Sequence, residues 1–352
     1  MTSFFIYLRF LARCVWVQVL SWSGSLERAE TELRENGAIV TLTLHRVLGD
    51  AAYCSTNSLP GIVLKRQTFA EMTAYLADHY EPVSFADAIP GEVFRSLRMA
   101  ITFDDGWQDN YSTVLPVVKE HKLPVTIFVC PALVGQASPF WPEQAIALMR
   151  AGNPDARPSQ FFRAIDRLKR CTQEQRERFF QRVRANSEAR ANSNSSAVDR
   201  TLSWEDIREM QGAGVTFGSH TNTHQILTTI SGEGIRHELA RSKATLEQML
   251  GVPCNHFAYP NGDWSAETQR VVADAGFTRA MTTESGAWVF TSDPLAIPRM
   301  NVSEGNVVGP NGRFWPAMFQ YAVVWKAWRA ARRKPIAQKI AHNPHAAVCS
   351  RA

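Results

Sequence analysis

Two short clusters carry side chains that could share a divalent cation. Ile101-Thr-Phe103 reads as a buried strand and runs straight into Asp104-Asp105-Gly106-Trp107. Successive side chains of an extended chain alternate in direction, so one of two adjacent carboxylates can bind a metal while its neighbour faces a substrate. Gly106 lets the chain turn sharply just beyond. Taken alone, that tetrad reads first as a solvated turn. Val215-Thr-Phe-Gly218 leads in the same way into Ser219-His220-Thr-Asn-Thr-His224. Imidazoles four residues apart on one helical turn share a face and can converge on one ion, although such pairs also occur as ordinary surface histidines. Asp105, His220 and His224 together would form a two-histidine, one-carboxylate set with open positions, as in a catalytic site. Oxygen plus imidazole suits Zn²⁺, with Co²⁺ or Ni²⁺ as alternatives. No glutamate follows His220, so this is not the H-E-x-x-H protease pattern.

Thr102-Phe-Asp104-Asp105-Gly106 and Ser219-His-Thr-Asn-Thr-His224, in that order and at strand ends, resemble the first two motifs of the polysaccharide deacetylases (carbohydrate esterase family 4). The resemblance runs from roughly Ala38 to Val302. It implies a distorted (β/α) barrel, a divalent metal, and hydrolysis of N-acetyl, occasionally O-acetyl, groups on a polysaccharide, oligosaccharide or glycolipid intermediate. It also implies Asp104 as general base and Asp105, His220 and His224 as metal ligands. The third motif departs from the family. Phe257-Ala-Tyr259-Pro260-Asn261-Gly262 keeps the proline and glycine of Arg-x-Pro-Tyr-Gly but has Ala258 for the arginine and Asn261 for the aromatic. Arg299, in Ile297-Pro-Arg-Met-Asn301, is the candidate to orient the base in its place; a surface ion pair is the other reading. Backbone N–H groups near Asn261 are candidates to hold an oxyanion, since they do not depend on side-chain identity. Trp107, Phe140, Trp141, Tyr259 and Trp264 are candidate sugar-stacking surfaces. The family's late histidine acid is missing too. Leu42-Thr-Leu44-His45-Arg46-Val47 resembles the opening of deacetylases acting on poly-N-acetylglucosamine, which makes His45 the expected general acid. A core histidine capping the strand is the alternative.

The elements that must position these residues alternate along the chain. Strand-like runs fall at Ile39–Arg46, Met99–Phe103, Val125–Cys130, Val215–Gly218, Phe257–Tyr259, Thr278–Thr282 and Ile297–Val302. Between several of them lie helix signals. Thr68-Phe-Ala-Glu71 has the capping-box pattern, and Ser203-Trp-Glu-Asp206 starts a helix ending near Gly212 and Gly214. Ile235–Leu250 and Ala266–Ala275 carry helical periodicity and stop at Gly251 and Gly276. This rhythm predicts an α/β fold, a barrel of about seven parallel strands with helices outside, whose active site lies at the carboxyl ends of the strands.

Three regions break the rhythm: residues 1–37, an insertion at about 136–200, and the tail 312–352. The barrel domain is therefore expected over 38–311. In the first, Phe4, Leu8, Leu11 and Val15 fall at helical spacing beside Arg9 and Arg13, which interrupt any clean spanning or secretory run. An amphipathic helix docked on protein, or lying on a membrane face, fits the pattern. The insertion reads as charged helices over Trp141–Arg150 and Gln160–Arg184, followed by the polar run Ala191–Ser196. The tail interleaves Trp315, Phe319, Tyr321, Trp325 and Trp328 with basic residues, as a helix packed on the barrel or touching a membrane. Of 352 residues 45% are hydrophobic, enough for a core, and the net charge of +5 is too mild to argue for nucleic acid. Six dispersed cysteines without C-x-x-C suggest neither a thiolate zinc site nor a disulfide framework. The expected location is cytoplasmic, at the inner membrane face, with an extracytoplasmic anchored form as the alternative. Two other functions stay open: hydrolysis of a non-sugar amide, and sugar binding without catalysis.

Overall fold

The computed structural model describes residues 2–137, 140–153, 158–187 and 199–333. Its wall is made of β1 (Ile39–Leu44), β2 (Arg98–Phe103), β3 (Val125–Val129), β4 (Thr216–Ser219), β5 (His256–Ala258), β6 (Arg279–Met281) and β7 (Met300–Asn301). They lie in the order β7-β1-β2-β3-β4-β5-β6, each neighbour parallel. Ile297 bridges Met281 on β6 while Met300 pairs with Leu42 on β1, so the chain at β7 spans the two edges of the sheet. The result is a distorted (β/α) barrel of seven parallel strands, as the alternation and the family resemblance together lead one to expect.

Every residue of β1, β2 and β3 is buried, as expected for parallel strands covered on both faces. The two faces differ in what they hold. Val40, Leu42, Leu44, Met99, Ile101, Phe103, Ile127 and Val129 join the large core beneath the helices. The opposite face carries a smaller cluster, including Ile39, Ala100, Phe128, Ala258, Met281 and Ile297. It also carries Thr41, Thr43, Thr102 and Thr126, all buried. This narrower face is the barrel interior, and its rows run toward the mouth.

The helices follow their sequence signals with a few differences. Ser203 and Asp206 form the capping box that opens Trp204–Gly212, and Gly251 caps Gly232–Leu250 at a positive φ of 70°. The box expected at Thr68 is not formed. That helix begins earlier, at Arg66, and the Thr68 hydroxyl instead donates to buried Glu304 at 2.9 Å. A tertiary carboxylate has outcompeted the local backbone for the hydroxyl.

At the N-terminus, α1 (Thr2–Trp22) and α2 (Ser25–Glu35) pack on the C-terminal helical run Pro316–Arg333. Cys14, Val17, Leu20 and Leu26 share a core with Ala317 and Met318. The docked face is not the stripe marked in the sequence. Leu8 and Val15 from that stripe are 43% and 65% exposed, beside exposed Trp16, Val19 and Trp22. Packing against the barrel's own C-terminal segment selected the opposite side of the helix. Among the described residues no helix is long and apolar enough to cross a membrane. The insertion contributes α3 (Trp141–Gly152), α4 (Pro158–Lys169) and α5 (Gln173–Ser187), so the charged run after Gln160 is two helices rather than one. Ala145, Ile146, Phe161, Ile165 and Leu168 give it a small core of its own. Ala191–Ser196, the tail from Lys334 and the side chain of Phe4 lie outside the described residues.

Candidate active site

Strand periodicity brings four of the sequence-derived residues to one place. The register pairs Thr41 with Ala100, Thr43 with Thr102 and Thr126 with Thr102, so these side chains share the inner face. Stepping two residues past Thr43 and Thr102 reaches His45 and Asp104. The corresponding step past Gly218, which pairs with Phe128, reaches His220, and Arg299 lies just ahead of β7. Four distant segments thus place His45, Asp104, His220 and Arg299 at the mouth because each lies on an inner row.

Asp105 and His224 arrive by strained backbone instead. Of the non-glycine residues with positive φ, Asp105 (75°), Thr221 (63°), His224 (61°) and Asn261 (59°) all lie at this mouth. The histidine pair is not on a helical turn, as the spacing suggested, since residues 220–226 form no regular element. The left-handed residues fold that loop so that the imidazoles converge. Buried Glu238 holds it from outside, accepting from the Asn222 and Thr223 amides at 2.9 and 2.8 Å and from the Thr223 hydroxyl. Gly106 follows with a φ of 68°, and a β-carbon there would meet Val129 at 2.6 Å.

The trio itself suits a metal. The ligand atoms of Asp105, His220 and His224 lie within 4.8 Å of one another. Asp105 Oδ1 is 3.6 Å from His220 Nε2 and 3.3 Å from His224 Nε2. It is buried and has no hydrogen-bond partner, while Oδ2 accepts from the Trp107 indole at 3.0 Å. His220 Nδ1 sits 2.8 Å from the Ala258 carbonyl. That contact suits Nδ1–H as donor and leaves the Nε2 lone pair for a cation. Burial pushes His220 down to about 4, which keeps it neutral, the form a metal needs. Burial acts against the Asp105 carboxylate, but the surrounding imidazoles, His224 foremost, hold its pKa well below the usual range. An orphaned anionic oxygen facing two imidazoles is a donor set suited to a cation.

Asp104 is held differently. Arg299 Nη1 and Nη2 donate to its two oxygens at 2.7 Å each, in a bidentate pair with both side chains buried. Arg299 Nε donates in turn to the Thr282 carbonyl and Nη1 to Thr102 Oγ1. Burial favours the neutral acid at Asp104, yet the Arg299 charge, helped by His220 and His45, outweighs it and holds the pKa below the ordinary value. Arg299 therefore stands in a bidentate pair with the carboxylate that the third-motif arginine was expected to orient. His45 Nε2 lies 4.0 Å from Asp104 Oδ2, and Asn110 Nδ2 donates to the His45 carbonyl at 2.9 Å.

Several expected substrate contacts are corrected. Trp107, Phe140 and Tyr259 are buried, so none offers a face to a sugar. Trp107 lies under the Arg46 guanidinium at 4.1 Å, Phe140 packs between Trp107 and His224, and the Tyr259 hydroxyl donates to the Leu295 carbonyl. Trp141 and Trp264 remain half-buried. The Asn261 side chain donates to Asp263 at 2.7 Å, within the short turn Pro260–Gly262.

Sequence reasoning gave other residues of the site no role. Arg46, fully buried, donates to Asp109, Thr56, Ser58 and Asp199 and so ties the end of the insertion to the barrel mouth. Glu143 on α3 is buried, and burial with the nearby Asp105 charge pushes its carboxyl up to about 8. A Glu inside a helix looks like any solvated charge until the fold covers it.

Against this geometry, solved structures are similar in fold. IcaB from Ammonifex degensii has a TM-score of 0.53 at 20% identity, covering 83% of this chain and 97% of that one. The Streptococcus pyogenes deacetylase PplD, solved with acetate, has a TM-score of 0.52 at 18% identity, covering 77% and 94%. In sequence, a Bacillus subtilis (strain 168) protein, YxkH, which carries the polysaccharide deacetylase name, is 24% identical over 205 residues. That match takes in 58% of this chain and about half, 51%, of YxkH. The polysaccharide deacetylase family pattern matches residues 94–280, more than half of the chain and the stretch that holds both metal-type motifs, so the chain belongs to the polysaccharide deacetylase family.

Proposed function

We propose that this protein hydrolyses N-acetyl groups on a carbohydrate, releasing acetate and a free amino sugar. The observation that carries this reading is the juxtaposition at the mouth. The unpartnered Asp105 Oδ1 faces two imidazoles, next to an Asp104 locked by Arg299 and within reach of His45.

Asp105, His220 and His224 would hold a divalent cation, for which Zn²⁺ suits the donors best. Such an ion supplies Lewis-acid polarisation of the acetyl carbonyl and lowers the pKa of water. The chain's own groups do the rest. Asp104, kept ionised by Arg299, accepts the proton of the attacking water. The fixed bidentate pair removes the freedom of its carboxylate to turn away. The backbone N–H of Asn261 would face the developing oxyanion, since Pro260 has none and that of Tyr259 is donated to the Met281 carbonyl. His45 delivers a proton to the departing nitrogen, without which an amine leaves very slowly. Water adds at the carbonyl carbon, the C–N bond breaks, and acetate and amine result.

The test is metal analysis of purified protein together with acetate release from N-acetylglucosamine oligomers and from simple non-sugar acetamides. Metal bound in about equimolar amount with release from the sugars supports the reading. Release from the non-sugar amides alone would overturn the carbohydrate assignment. Peripheral membrane contact is part of the same proposal. The exposed Leu8, Val15, Trp16, Val19 and Trp22 along α1, with no acidic residue before Glu27, support it. Flotation with phosphatidylglycerol vesicles, abolished by Trp16→Ser with Val19→Ser, is the expected result.

A further inference from the structure

Beside His224 lies a cavity of about 190 Å³ that the hydrolytic scheme does not use. One wall belongs to the barrel, through Thr223, His224 and Gln225; the other is the insertion, through Trp141, Arg176 and Phe180. Arg176, on α5, is the unusual member. It is only 5% exposed, yet among the described residues no carboxylate lies within ion-pair distance of it. Its Nη1 donates to the Cys171 carbonyl at 2.9 Å, its Nη2 reaches the Gln225 side-chain oxygen at 3.4 Å, and it stacks 5.4 Å over the Trp141 ring. All three partners are neutral. Burial lowers its pKa from the ordinary value, and Cys171 and Glu177 oppose this only in part. A buried guanidinium that meets only neutral oxygens and a ring retains donors with no charge to answer them.

We infer that this cavity binds an oxyanion carried by the substrate next to the reacting N-acetyl sugar, a phosphoryl or carboxylate group that pairs with Arg176 while the ring beside it lies on Trp141. Arg176 is suited to the task because its planar fork matches an oxyanion bidentately and is already pre-oriented by Cys171 and Gln225. Glu177, exposed at the same cavity, sets a negative charge at the rim that an anion must pass. The inference rests on the reading of the mouth as a deacetylase site only for the identity of the neighbouring sugar.

Ligand-observed NMR titration of the zinc-loaded full chain tests it with three probes: N-acetylglucosamine 1-phosphate, N-acetylmuramic acid, and methyl N-acetylglucosaminide as the neutral reference. At least one anionic probe should bind about tenfold tighter than the neutral one. A preference for the phosphate points to a phosphoryl-linked glycan, and one for the carboxylate to an acidic sugar. Arg176→Met should bring the anionic-to-neutral ratio to about one, Arg176→Lys should keep part of it, and Glu177→Gln should raise it several-fold. A wild-type ratio near one, or a ratio that Arg176→Met leaves intact, overturns the proposal. If Arg176→Met does not fold, an unchanged ratio in both Arg176→Lys and Glu177→Gln does the same. The acetate signal in the same spectra separates the two readings. Acetate without charge preference sinks only the cavity; an Arg176-dependent preference without acetate sinks only the hydrolysis.

Discussion

The barrel mouth and the helical insertion meet at His224 but are built on different terms. At the mouth, each charged group is answered or set up to be answered: Asp104 by Arg299, Arg46 by Asp109 and Asp199, and Asp105 Oδ2 by Trp107. Asp105 Oδ1, an anionic oxygen without a hydrogen-bond partner, faces the other two candidate metal ligands. The insertion has its own small core and carries two ionisable groups, Glu143 and Arg176, that are buried without a strong counter-charge. The difference teaches where chemistry and selectivity divide. A reaction needs groups fixed within fractions of an ångström, which a closed network enforces. Recognition needs a group left wanting a partner.

The sharpest way to break this contrast is at the metal trio. His220→Ala should abolish stoichiometric zinc binding and acetate release together, the latter by on the order of a thousandfold or more. Activity surviving without bound metal would dissolve the mouth as described. Next in size, Asp104→Asn should keep zinc content near wild type yet lower kcat by about 10² to 10⁴-fold. Metal analysis beside turnover separates the two carboxylates.

Arg299→Met sharpens the comparison further. It leaves a buried carboxylate without its counter-charge, which costs about 3–5 kcal/mol and should show in chemical denaturation. The sign of the pH effect follows from burial. Without Arg299 the largest influence opposing desolvation is lost, so the Asp104 pKa rises and the acid limb of kcat/KM moves to higher pH. A profile that keeps its acid limb while kcat falls would make Arg299 merely structural. The smallest effect belongs to the insertion. Folded Glu143 keeps its proton up to about 8, whereas the unfolded side chain loses it near 4.5. Wild-type stability should therefore fall as pH rises through that window. Glu143→Gln removes the penalty, so metal-free variant and wild type should melt together near pH 4.5 and differ by about 2 °C or more at pH 8.

Much of this molecule was legible before folding. Short apolar runs such as Val125–Val129, alternating with helix signals, read as parallel strands buried on both faces, in an open sheet or a barrel, and the count of about seven favoured the barrel that is found. Asp104, Asp105 and His220 were legible because they directly follow buried strands, and His224 because it shares a short motif with His220. Arg299 was legible only as an arginine near the right strand, since its bidentate grip on Asp104 joins segments far apart in the chain. The sugar-stacking role of Trp107 and Tyr259 was misread because residue type does not reveal whether a ring will be covered.

The amino-acid order by itself determined the inner and outer rows of the barrel, through the period of two in an extended chain, and with them the residues that reach its open end. Tertiary structure alone decided what those residues meet. The left-handed turns at Asp105 and His224, the burial of Glu143, the face of α1 that docks and the isolation of Arg176 all depend on which distant segment covers which side chain. Burial and counter-charge are properties of neighbours in space, and no local pattern encodes them.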